Sequence, residues 1–200
     1  MINNLELIKP LLNFEDEDDF YMLYIFKRKK DQPEGEKDNH QSVRTIRSYC
    51  IASIEQLEKR YDEIIQLCEM FKARAYIHVQ KQSHKDVSLD MLVDLAQRIK
   101  SGQHKQQNLF DSIVGQMKTL EHRWIVDIDT KDEDSIVNIR YTISMCKPEG
   151  LKIHRSIPTK NGYHLITDRF DVMEFKKKHP DIDIQKKNPT LLYYPNSLDN

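Results

Sequence analysis

Hydrophobic and polar positions along the first half of the chain switch between the period of a strand and that of a helix. Phe20 to Lys29 is dense in aromatic and β-branched residues, and Ser42 to Ile51 resembles it after the polar stretch Lys30 to Gln41, which predicts two strands joined by an exposed loop. Ser53 stands where a cap belongs, ahead of Ile54, Leu57, Tyr61, Ile64, Ile65 and Cys68 at helical spacing. Ala73 to Gln80 alternates as a strand, and Ser88 opens a second amphipathic helix through Leu89, Leu92, Val93, Leu95, Ala96 and Ile99 to a stop at Ser101-Gly102. The polar, Gln-rich run from Gly102 to Asn108 reads as a linker.

The second half has its own order. Arg123 to Asp129 predicts a strand, Asp132 to Cys146 a helix with Ile136, Ile139, Ile143 and Cys146 on one face, stopped by Pro148 and Gly150. Leu151 to Ile157 and Tyr163 to Thr167 form a hairpin around Pro158-Thr159-Lys160-Asn161-Gly162. Asp171 to Lys178 is a short helix and Thr190 to Tyr194 the last strand. The order βαββαβ is that of a ferredoxin-like or RNA-recognition-motif-like sheet, whose first and third strands lie side by side. The expected fold is therefore mixed α+β: an N-terminal αβ lobe over residues 1–108 packed with a βαββαβ core over residues 109–200.

Composition narrows the class. The 200 residues, 38% of them apolar, suffice for a buried core, and a formal net charge of −1 excludes a globally basic, nucleic-acid-coating protein. Charge is uneven, however: residues 1–19 carry a net of −5 and residues 147–190 a net of +4, so a basic footprint falls on the C-terminal third. Cys50, Cys68 and Cys146 are far apart, odd in number and without metal-ligand spacing, and read as reduced thiols. With neither a membrane-length apolar run nor a signal-peptide pattern, the expectation is a soluble, cytoplasmic protein with no membrane partner.

Two segments carry candidate chemistry. In Ile125-Val126-Asp127-Ile128-Asp129 the strand period of two aims Asp127 and Asp129 at one face, and two converging hard oxygen ligands suit Mg²⁺ or Mn²⁺. In Thr159-Lys160-Asn161-Gly162-Tyr163-His164 a glycine and then a histidine stand where a strand begins, so that backbone amides and an imidazole can approach phosphate. Taken singly, each has a plainer structural reading: Asn161-Gly162 is a turn signal, and Lys176-Lys177-Lys178 is the solvated face of a short helix.

An apolar strand ending in Asp-x-Asp, a hairpin with a Gly-x-His strand and a later lone Asp together resemble the archaeo-eukaryotic primase and primase-polymerase superfamily, in a small form of the kind phages and mobile elements encode. The likeness covers about residues 123–195. It implies that Asp127 and Asp129 are the two metal-binding aspartates of the first motif, and that His164 contacts the phosphates of the incoming nucleotide together with Lys160, Gly162 and Arg155. Asp183, with Asp181 as alternate, is the third metal-binding carboxylate. Gly162 stands where the family often has serine, which removes a hydroxyl and leaves backbone amides in its place.

The implied activity is two-metal nucleotidyl transfer: a primase or polymerase that makes or extends a primer with a nucleoside triphosphate on a DNA or RNA template, using two Mg²⁺ or Mn²⁺ ions. A separately encoded replicative helicase is the implied partner and the host cytoplasm the implied compartment. Two other readings use the same residues: a catalytically degenerate relative that binds nucleotide or single strands, and a metal-dependent nuclease.

Overall fold

The structure, a computed structural model, describes residues 1–28, 31–32, 43–103, 109–116 and 122–198. The loop expected over Lys30 to Gln41 and the linker expected over Gly102 to Asn108 therefore fall largely outside the described residues. In chain order the elements are β1 (Ile2–Asn3), α1 (Leu5–Ile8), β2 (Asp19–Arg28), β3 (Val43–Ile51), α2 (Ile54–Phe71), β4 (Arg74–Ile77), β5 (Gln82–Ser83), α3 (His84–Lys100) and α4 (Leu109–Gln116). They continue with β6 (Trp124–Ile128), α5 (Glu133–Met145), β7 (Ile153–Pro158), β8 (Tyr163–Thr167), α6 (Val172–Lys178), β9 (Asp183–Gln185) and β10 (Thr190–Tyr194).

The strands form two antiparallel sheets, and the fold class is α+β. The first runs β1-β10-β4-β2-β3, with β5 extending β2; the second runs β7-β8-β6-β9. The second is a complete βαββαβ unit, since its first and third strands, β6 and β8, are central. Its fourth strand, however, is β9 and not the expected Thr190 to Tyr194. Those five residues are all buried and form β10, which crosses into the first sheet between β1 and β4. The run Leu191 to Tyr194, apolar or aromatic throughout, suits a strand covered on both faces, whereas the short polar–apolar–polar β9 suits a sheet edge.

Helix α2 forms as its spacing predicts. The Ser53 side chain accepts from the Gln56 amide, Lys72 closes the C-terminus in the left-handed conformation, and Leu57, Tyr61, Ile64 and Cys68 face inward. They pack against Leu23, Ile25, Ile51, Ala75 and Ile77 of the first sheet, and Ile125, Ile157 and Ile166 of the second sheet join the same core. The alternate residues of the second sheet, Val126, Ile128 and Leu165, face α5 and α6 through Ile136, Ile139, Ile143 and Phe175. Helix α3 departs from expectation. It starts four residues before Ser88, capped by Ser83, and buries Val87 while Leu89, Leu92, Val93 and Ile99 are exposed. It lies at the margin, against α4 and β5, and meets the first sheet through Val87, Met91 and Leu95 over Phe20 and Met22, which turns most of the expected stripe outward.

Buried polar groups tie the two sheets together. The Asn4 amide donates to the Pro158 and Leu191 carbonyls at 2.9 Å each, and the Gln80 amide to the Arg123 and Lys186 carbonyls at 2.7 and 2.6 Å. Residues on both sides of position 108 build the first sheet and its cover, because β10 joins its strands and α4 packs on Phe20 and Met22 of β2. No described helix is long and apolar enough to cross a membrane. The cysteines are free thiols, Cys68 and Cys146 buried and Cys50 half-buried.

Candidate active site

Pairing in the second sheet places three of the expected residues in one row. Asp127 on β6 is directly opposite His164 on β8 and, on its other side, directly opposite Asp183 on β9. Side chains of residues paired in this way project from the same face. The His164 ring is held at Nδ1, 3.0 Å from Thr190 Oγ1, and its Nε2 faces Asp127 Oδ1 at 3.4 Å without a hydrogen bond between them. The Gln185 amide lies between the two carboxylates, donating to Asp127 Oδ2 at 3.2 Å and Asp183 Oδ2 at 3.1 Å.

Asp129 follows β6 immediately, and its exposed side chain lines the same cavity as Asp127. This cavity, about 140 Å³, opens between the sheets. The second sheet contributes Asp127, Asp129 and His164, with Thr159, Lys160 and Asn161 from the β7–β8 turn. The first sheet contributes Arg28, Arg74, Tyr76 and Leu191. One wall is thus acidic and the facing wall basic. Burial pushes the Tyr76 phenol up to about 12, against the pull of the Arg28 guanidinium and with the carboxylates of Asp31 and Asp127 adding to it.

The remaining expected residues are placed differently. Lys160 carries its ammonium over the Tyr194 ring, 5.4 Å from the centroid. Gly162 does not line this cavity; its amide donates to Thr159 Oγ1 at 3.1 Å and its carbonyl accepts from the Thr159 amide at 2.8 Å, closing the turn. A Cβ there would sit 1.9 Å from the Ile128 carbonyl oxygen, so glycine is required by the close approach of the hairpin to the end of β6. Arg155 is exposed on β7, paired with Ile166 and outside the cavity lining. Asp181 lies in the exposed turn before β9, outside the row that contains Asp183.

The donor set of Asp127, Asp129 and Asp183 is hard oxygen, which suits Mg²⁺ or Mn²⁺. The polarised Gln185 NH₂ between two carboxylate oxygens marks a position where positive charge is favoured. Among the described residues no group of three or more His, Cys, Asp or Glu side chains is arranged to hold a metal ion, and Asp183 does not line the cavity. Magnesium is commonly held by one or two carboxylates with water and substrate phosphates completing the shell.

Arg28, Arg74, Tyr76, Thr190 and Gln185 were not legible as site residues. The one available signal was an arginine inside the apolar strand Ala73-Arg74-Ala75-Tyr76-Ile77, since a charged side chain in a strand interior needs a partner. A larger groove of about 530 Å³ runs between α3 and α4, but its charged lining is Asp86, Asp90 and Asp94 alone, with no histidine or cation. No protein-family model, curated protein or solved structure matches this chain.

Proposed function

We propose that this protein is a metal-dependent nucleotidyltransferase of the primase-polymerase type, which adds nucleotides to a primer on a DNA or RNA template. The observation that carries the reading is the cavity between the sheets, with Asp127 and Asp129 on one wall, Arg28 and Arg74 on the other and His164 at its edge. A ligand suited to such a site bears phosphates toward the arginines and shares cations with the carboxylates.

Asp127 and Asp129, joined by Asp183, would hold Mg²⁺ or Mn²⁺, which lowers the pKa of a 3′-hydroxyl and neutralises charge on the triphosphate. The chain's own groups then orient the substrate. Thr190 holds the His164 ring in one orientation through Nδ1, so that Nε2, which is not hydrogen-bonded to Asp127, can donate to a phosphate oxygen without first losing side-chain freedom. Lys160, on the turn at the cavity mouth, adds a screened cationic contact. The basic C-terminal third offers template phosphates salt-sensitive backbone contacts.

The test is a primer-extension assay with a labelled primer-template, Mg²⁺ or Mn²⁺, and ribo- or deoxyribonucleoside triphosphates. Metal-dependent elongation is expected. Nucleotide binding without elongation identifies a degenerate binding module, and shortening of the labelled strand identifies a nuclease.

A further inference from the structure

Two guanidinium groups in the basic wall have hydrogen-bonding capacity that the protein itself does not use. Arg74 is 4% exposed; its Nη2 donates to Asp31 Oδ1 at 2.8 Å and its guanidinium covers the Tyr194 ring at 4.7 Å, but its Nε–H has no partner. Arg28 ends the neighbouring strand β2. Its Nε is buried, lies 3.7 Å from Asp31 Oδ2, beyond hydrogen-bond reach, and is likewise unpartnered. One carboxylate, Asp31, is therefore shared by two permanently charged groups, buried Arg74 and half-exposed Arg28, which leaves a net positive charge on this wall. No described ion pair crosses the cavity from these arginines to Asp127 or Asp129, so the positive charge is not spent on the opposite wall.

Size then limits what can satisfy it. Pockets that enclose a whole small-molecule ligand run from about 300 to 1,000 Å³, and this cavity is about 140 Å³. It has room for phosphate groups and none for a sugar and base as well. We propose that Arg28 and Arg74 form a phosphate subsite that takes the polyphosphate tail of a nucleotide, leaving the nucleoside outside the cavity. Planar guanidinium forks match phosphate oxygens in pairs, which is a reason for arginine over lysine at both positions. The subsite reads charge and shape and is blind to the base. That the phosphates belong to a nucleotide rests on the nucleotidyl-transfer reading; that the arginines bind polyphosphate does not.

Calorimetric titration of inorganic tripolyphosphate into the full-length protein tests the inference, since this probe has no nucleoside. Binding is expected in the parent, with affinity reduced about tenfold or more in Arg28→Gln and in Arg74→Lys. Arg74 is buried, so its variant can fail to fold; Arg28, 37% exposed in its side chain, keeps the test intact. Tripolyphosphate that does not bind, or that binds Arg28→Gln as tightly as the parent, overturns the subsite even where primer extension is seen. Binding that falls in Arg28→Gln supports the subsite even where primer extension fails.

Discussion

Asp127 Oδ1 and His164 Nε2 are 3.4 Å apart across the central pair of strands of the second sheet, each the direct cross-strand neighbour of the other. The contact joins the two candidate motifs at one point, the carboxylate proposed to hold a cation and the imidazole proposed to contact phosphate. It is stiff because the far nitrogen of the ring is tied to the fully buried Thr190 of the other sheet.

His164→Ala should therefore weaken nucleoside triphosphate binding by one charge-assisted hydrogen bond, roughly 1.5–3 kcal/mol or about ten- to a hundredfold. Mn²⁺ affinity measured without nucleotide should change little. Thr190→Val, which frees the ring without removing it, should cause a smaller loss of the same kind. Calorimetric titration of nucleotide and metal into each variant makes the comparison, and equal losses of both in His164→Ala would instead place the imidazole on the metal.

Gly162→Ser tests the hairpin. Restoring a hydroxyl at this place gains nothing if the added Cβ meets the Ile128 carbonyl at 1.9 Å and the Thr130 backbone at 2.7–2.8 Å. The end of β6 must move, at a cost of about 2–3 kcal/mol. Thermal unfolding should show a midpoint lowered by roughly 5–10 °C, with nucleotide incorporation falling as Asp129 shifts. A variant as stable as the parent would show that the approach is looser than described.

His78 sets an acid limit on stability. Burial lowers its pKa from 6.5 to about 4, and its ring lies edge-on to Tyr24 with centroids 5.7 Å apart. Above pH 6.5 the ring is neutral in both folded and unfolded chains and its titration contributes no slope. Between pH 6.5 and 4 the unfolded chain binds the proton first, so stability falls as pH falls, by up to about 3 kcal/mol in all. Denaturant unfolding across this range should show that slope, and His78→Phe should flatten it.

The parts of this site that were legible in the sequence are the local ones. The alternation around Asp127, the turn at Asn161-Gly162 and the cap at Ser53 depend on near neighbours, and each element forms where those residues predict. The illegible parts are set by distant pairing. Thr190 to Tyr194 is apolar enough for either sheet, and its place between β1 and β4 is decided by partners more than a hundred residues away. Asp183-Ile184-Gln185 is too short and polar to announce a strand, yet its pairing with β6 brings Asp183 opposite Asp127. The basic wall was hidden for the same reason: Arg28 and Arg74 become neighbours only when β2 pairs with β4.

The central claim is that Asp127 and Asp129 hold the cations of a nucleotidyl-transfer site, and one measurement tests it directly. Asp127→Asn/Asp129→Asn should abolish metal-dependent primer extension while leaving the thermal midpoint unchanged or slightly raised, because removing two like charges from one wall relieves their repulsion. A folded double variant that extends the primer as well as the parent would contradict the claim.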